Sequence, residues 1–276
     1  MLASCQSEPK PPPAVVVANT AGAPVSAVVP AGWVAITPDD ERLRCANYAQ
    51  DEWQVAIENG VVTFTESKQH EPDSGPALPF TPKQQPATRG RKHVLAVSDG
   101  FLVGFDAGEW GGALYWFSKD GTSATKLADQ NVHGLVAMAP DLVASIEGLS
   151  HLTMSEGNVR WIEHVGSWRA GALTALDAGP STFVAATDAI YVLTTHSLMR
   201  LGKDRKAVTI QPVQTAQMYP DSMAIDAAGE LWIGMRQFVV RMAPNGDRFK
   251  QTWLVREACV HATVHGLECV CEPTMH

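Results

Sequence analysis

Three histidines and one aspartate stand at matching places in a pattern that recurs along the chain. His93 opens "HVLAVSDG", His133 opens "HGLVAMAPD", Asp221 opens "DSMAIDAAG" and His265 opens "HGLECVCEP". Imidazoles and a carboxylate suit a divalent metal, and an imidazole kept neutral suits a general base. The competing assignment is structural, with each side chain hydrogen-bonded inside its own unit. The choice depends on the elements that carry these residues and on how far apart they hold them.

Those elements read as short strands. A further copy, "GALTALDAG" from Gly171, completes the set, and the third residues Leu95, Leu135, Leu173, Met223 and Leu267 follow at intervals of 40, 38, 50 and 44 residues. Each of the first four copies is followed by a second apolar run: "FLVGFD", "DLVASIEG", "TFVAATDAIYVL" or "ELWIGM". A third run ends in a turn such as "SKDG", "SEGN" or "PNGD", where Gly and Asn tolerate positive φ, and a polar-alternating fourth run follows. Four strands per unit at this period is the signature of a β-propeller. No long 3.6-residue periodicity is present, so helices should be few.

The expected fold is therefore all-β: a five-bladed β-propeller over residues 33–276. "HGLECVCEP" supplies one innermost strand before the chain stops, whereas "DEWQVAIENGVVTFTESK" opens the first unit on a second strand and turns at Asn59-Gly60. The C-terminal strand is expected to pair with the N-terminal blade and close the ring, leaving no sheet edge unpaired there. His93, His133, Gly171, Asp221 and His265 would then ring one mouth of the channel. Equivalent places in a fivefold ring lie several ångströms apart, which suits a small ligand better than one tight metal.

The stretch "SMAIDAAGELWIGMRQFVVRMAPNGD" resembles the repeats of NHL, gluconolactonase-like and streptogramin-lyase-like propellers and of two-component sensor propellers. They share an apolar strand, an Asp-x-x-Gly turn, an aromatic strand and a Pro-x-Gly turn. The resemblance covers one unit well and implies architecture rather than chemistry. Its lyase branch implies a catalytic His and a metal at the channel mouth. The His-Gly pairs at His133 and His265 are similar instead to WD-repeat propellers, whose recurring His is structural.

The first residues, Leu2-Ala3-Ser4-Cys5, resemble a bacterial lipobox with Cys5 as the lipidated residue, although only Met1 precedes them. Residues 1–32 continue as a Pro- and Ala-rich tract, expected to be a disordered, extended tether. The competing assignment is a tail with an incidental Cys. Gln6 after the Cys, by likeness to such lipoproteins, favours the outer membrane. Of the other cysteines, Cys269 and Cys271 lie two apart in a strand, about 6.6 Å along it, too far to bridge each other. Two pairings remain, each joining Cys45 to one of them and Cys259 to the other; four reduced core thiols are the alternative. Bridges would place the chain in an oxidising compartment such as the periplasm.

The formal charge of -8 argues against nucleic acid and fits a basic partner. No apolar run approaches the roughly 20 residues of a membrane span. "QHEPDSGPALPFTPKQQPATRG" reads as a long surface connection or an irregular outer strand. Asp99, Asp177 and Asp226 read as turn caps at the ends of inner strands. Trp53, Trp116, Trp161 and Trp232 sit inside strands and read as packing between blades, while Trp110, Trp168 and Arg169 are candidate interface residues. Gly-rich phosphate loops, Gly-x-Ser-x-Gly, His-Glu-x-x-His and Cys-x-x-Cys are all missing.

The favoured expectation is a non-catalytic periplasmic lipoprotein, without cofactor, that binds a protein as a toxin inhibitor or an envelope scaffold. The first alternative is a metal-dependent lyase or lactonase, with His93, His133, Asp221 and His265 as ligands or base. The second is glycan binding through Trp110 and Trp168.

Overall fold

Asn59 and Gly60 both adopt positive φ (52° and 79°), which lets two residues reverse the chain between alternating runs. Several other hairpins turn on a single positive-φ residue, at Gly121, Gly166, Arg205, Gln237 or Gly246. The structure, a computed structural model, describes residues 29–67, 73–83, 89–151, 154–215, 218–265 and 268–271. Cys5 and the tract before Val29 lie outside the described residues.

Strand β1 (Trp33–Ile36) and helix α1 (Asp40–Asn47) come first, followed by the hairpin β2 (Glu52–Glu58) and β3 (Val61–Ser67). Three four-stranded antiparallel sheets follow. The first holds β4 (Arg91–Val97), β5 (Gly100–Asp106), β6 (Gly112–Ser118) and β7 (Ala124–Ala128). The second holds β8 (Val132–Ala139), β9 (Leu142–His151), β10 (Met154–His164) and β11 (Trp168–Ala175). The third holds β12 (Pro180–Ala185), β13 (Ala189–Thr194), β14 (Ser197–Gly202) and β15 (Ala207–Pro212). Next come β16 (Ser222–Ile225), β17 (Leu231–Gly234), β18 (Phe238–Asn245) and β19 (Arg248–Arg256). The chain then forms a small hairpin, β20 (Thr263–His265) and β21 (Glu268–Val270).

The N-terminal β1 returns to lie antiparallel on β19, which makes a five-stranded sheet in the order β1-β19-β18-β17-β16. Chain ends are thus brought together by the first strand, not by the last. The expected pairing of the C-terminal strand with the N-terminal sheet does not form: β20 and β21 pair with each other. The start of β2 is already engaged, with the Trp53 N–H donating to Met235 O (3.2 Å) and the Gln237 N–H to Asp51 O (2.8 Å). The C-terminal segment instead sits over α1, where the Cys269 N–H donates to Tyr48 O and Cys45 is bonded to Cys269. A second disulfide joins Cys259 to Cys271. This is one of the two pairings the spacing left open.

The sheets pack face to face. Leu102 and Leu114 of the first meet Val143 and Ile162 of the second, and Ile146 and Trp161 of the second meet Ile190 and Leu201 of the third. Leu193 and Leu198 of the third meet Leu231 and Val240 of the five-stranded sheet, whose Trp232 and Leu254 cover Trp53, Val55 and Val62 of the hairpin. The far face of the first sheet lies under Leu78 and Phe80, from the long Pro-rich connection. Close approach explains the glycine after His133: a Cβ on Gly134 would fall 2.1 Å from the Phe183 ring.

One strand assignment changes. Gly171 lies in β11, the edge strand of the second sheet whose Leu173 is 54% exposed, and the third sheet begins at β12. Strand β2 lies beside β16, with Val55 N–H donating to Ser222 Oγ (3.0 Å), and pairs with β3 in a two-stranded sheet.

Candidate functional site

β4 and β5 pair so that Arg91 faces Asp106, and the two-residue period of a strand puts Arg91 and His93 on one side of β4. Arg91 is within electrostatic reach of His93, His133, Asp106 and Asp221. Three of the four residues picked out by spacing therefore gather around one guanidinium. His265 is the exception in that its side chain lies outside the described residues. The pattern did not single out Arg91, Asp106 or Ser74; the i, i+2 relation of Arg91 to His93 was the available signal.

His93 is 3% exposed, and its Nδ1 lies 2.8 Å from Ser74 Oγ. Ser74 runs parallel to the free edge of β4, donating its N–H to Lys92 O and accepting the Val94 N–H, both at 2.8 Å. Asp73 holds Lys92 through its N–H (2.8 Å) and Nζ (2.6 Å). His93 Nε2 is buried without a partner among the described residues. Burial first, then the positive fields of Arg91 and His133, push the imidazole down to about 3, so it is neutral at ordinary pH.

His133 Nε2 lies 3.2 Å from Gly148 O, which sets it as the donor, and Nδ1 faces Asp106 Oδ2 at 3.7 Å. Burial lowers its pKa, against the pull of Asp106. Asp106 Oδ1 accepts the Gly108 N–H at 2.9 Å. Asp221 Oδ1 accepts from Ser222 Oγ (3.0 Å), while Oδ2 is buried without a partner among the described residues. Burial, with a smaller push from Glu52, raises this carboxyl to about 7. The cluster can hold a proton on Asp221 beside a neutral imidazole and a guanidinium.

Metal is another matter. Among the described residues one trio of candidate ligands brings its atoms within 4.8 Å of one another: Asp51, Cys259 and Cys271. Its two sulfurs are bonded to each other, which removes them as thiolate ligands. His93, His133 and Asp221 do not converge to that degree.

Beside this end of the first sheet stands Trp110, 82% exposed on the single helical turn Gly108–Trp110. The turn is fixed by Asp106 on the Gly108 N–H, by Asn131 Nδ2 donating to Gly108 O (2.7 Å) and by Glu109 Oε2 lying 3.0 Å from His151 Nε2. Trp168 is different. It is 4% exposed and donates Nε1 to Asp99 Oδ1 (2.9 Å), in the turn at the opposite end of the sheet. It is a packing residue, which removes it from the interface and separates it from Trp110 as a glycan clamp. Arg169 remains exposed beside it, within 3.5 Å of Ser167 Oγ. Asp226 caps its turn as expected, accepting from the Ala228 and Glu230 N–H groups.

What fold and site define is an all-β protein of packed antiparallel sheets with two disulfides and a polar cluster where β4, β8 and β16 begin. No family model matches the chain, and no curated protein matches it. Among solved structures it is similar to the extracellular domain of the two component system BT4673 from B. thetaiotaomicron, at 10% identity and TM-score 0.43, over 62% of this chain and 23% of that one. It is also similar to apo AztD from Citrobacter koseri, at 12% identity and TM-score 0.37, over 60% of this chain and 46% of that one. The chain thus spans less than half the length of either, and no chemistry is transferred at this distance. No described helix is long and apolar enough to cross a membrane.

Proposed function

We propose that the chain is a five-unit propeller whose first blade is only two-stranded, exported to an oxidising compartment, where it binds another protein without catalysing a reaction. Cys5 would tether it through lipid to the outer membrane. Two disulfides support the compartment. One observation carries the binding: an exposed indole, Trp110, on a turn fixed from three sides. Tryptophan held rigidly at a surface loses little freedom on docking, which is why it anchors interfaces. The net charge of -8 suits a basic partner, a toxin to be inhibited or an envelope component.

The test is capture from envelope extract on immobilised full-length protein, with Trp110→Ala beside it. A specific partner should be retained by the native chain and reduced at least tenfold by the variant, with melting unchanged. Equal capture by both would remove Trp110 from the reading.

A second reading is favoured by His93 Nε2 and Asp221 Oδ2, unpartnered among the described residues, which would suit a small polar ligand or a metal-assisted lyase reaction. Stoichiometric divalent metal in purified protein, lost in His93→Ala, would support it.

A further inference from the structure

The hairpin β2–β3 is the smallest of the sheets that make up the stack, and it is open on one side. Strand β3 pairs with β2 over seven consecutive residues, from Val61 opposite Glu58 to Ser67 opposite Glu52, without a bulge. Among the described residues nothing pairs with its other edge. A two-residue turn closes on a hydrogen-bonded pair, here Glu58 and Val61, and such pairs alternate along an antiparallel ladder. Val61, Thr63 and Thr65 therefore bond β2, and the N–H and C=O groups of Val62, Phe64 and Glu66 point outward.

Open edges of this kind recruit strands, and proteins usually blunt them with lysine, proline or a bulge. "VVTFTES" contains none of these. Its underside is rigid: Phe64 packs edge-on against Trp33 at 4.9 Å and near Trp232 at 5.8 Å, and Val62 is buried beside them. Such an edge is ready to receive an extended strand at little cost in order.

The charge around it selects what can dock. Asp51, Glu52, Glu58 and Glu66 lie in this stretch with no Lys or Arg. Arg236 neutralises Glu52 (2.9 Å), and Arg256 lies over the Trp53 ring, near Asp51. Glu66, on the open strand itself, and Glu58, across the turn at the end of β2, are exposed and take part in no ion pair among the described residues. Glu66 also repels Asp51, whose carboxyl is held above its ordinary range by burial first and by this neighbour second.

We propose that the free edge of β3 docks an extended, basic segment of a partner protein as a third strand. Main-chain hydrogen bonds to Val62, Phe64 and Glu66 give the affinity, and Lys or Arg opposite Glu66 gives the choice of partner. This rests on the protein-binding reading but uses a surface separate from Trp110.

The probe is a labelled octapeptide of alternating valine and lysine, added to the full chain. Hydrogen exchange at the Val62, Phe64 and Glu66 amides should slow at least tenfold, with little change at Thr63 and Thr65. Glu66→Pro deletes one outward donor at an exposed place and should weaken binding at least tenfold. Glu66→Gln keeps that donor and should weaken it a few-fold, and a valine–glutamate peptide should not bind. The proposal fails if those amides are already slow without peptide, since the chain's own residues then fill the edge. It fails equally if sedimentation shows a dimer that protects them, or if the peptide leaves them unchanged. Should Trp110→Ala abolish partner capture while the β3 amides ignore the peptide, protein binding stands and edge docking alone falls.

Discussion

His93 and Asp221 are buried at one site and respond to acid in opposite senses. Folding keeps His93 neutral down to about pH 3, whereas the unfolded residue takes a proton near 6.5, so its contribution to stability is lost as pH falls through that window. Asp221 holds its proton to about 7 when folded and releases it near 3.8 when unfolded, so its contribution is lost as pH rises. Over roughly pH 4 to 6.5 the two slopes offset each other. Asp221→Asn should therefore melt progressively higher from pH 4 to 7 relative to the native chain, and His93→Gln progressively lower. Parallel melting curves across this range would mean neither group is perturbed. The strand-borne tryptophans were legible from the sequence because a large apolar ring inside a strand run has nowhere to go but between sheets. Trp232, fully buried with Nε1 donating to Asp226 Oδ2 at 3.1 Å, should cost about 3–5 kcal/mol when changed to Ala, measured by urea unfolding. Trp168 was not legible, since the Asp99 carboxylate that holds it lies 69 residues away in the chain.

At the scale of elements, turns and strand runs could be read directly, because Asn-Gly and Asp-Gly chemistry is local. Which strand begins a sheet could not. Leu173 belongs to an apolar run, yet β11 is an edge strand facing water, and only the neighbouring sheet decides that. Because Leu173 lies on β11, ahead of β12, the interval from it to Met223 lengthens to 50. Helix α1 was missed because eight residues carry too little periodicity; its Asp39 N-cap, accepting the Arg42 N–H at 2.8 Å, is the signal that was present. Strand β1 matters more than its length suggests. Trp33 stacks edge-on against Trp53 (4.8 Å) as well as Phe64, so it joins the five-stranded sheet to the hairpin. Trp33→Ala should cost about 2–4 kcal/mol and lower protection in β2 and β3 before that of β8–β15, as hydrogen exchange would report.

For the molecule as a whole, the repeat period shows the stacked sheets, but the expected pairing of the C-terminal strand with the first hairpin is replaced by pairing of β1 with β19. Three-residue strands at the C-terminus are too short to hold a sheet edge, and the disulfides fasten them instead. The two bridges differ in reach: Cys45–Cys269 spans 224 residues and Cys259–Cys271 spans 12. Restricting the unfolded chain favours the longer loop, so Cys45→Ser with Cys269→Ser should cost about 4–5 kcal/mol against about 3 for the other pair. Comparing the two melting temperatures under non-reducing conditions checks the order.

The long bridge also decides how the protein bears load. A pull between its two termini passes from Cys45 to Cys269 across one covalent bond, leaving every sheet from β2 to β19 slack within the loop. Among the described residues, β1 and the start of α1 lie upstream of that bond and can be stripped away, so a single-molecule trace should show one short peeling event. About 760 Å of further extension, at roughly 3.4 Å for each of the 224 bridged residues, would emerge only after a thiol reductant is added.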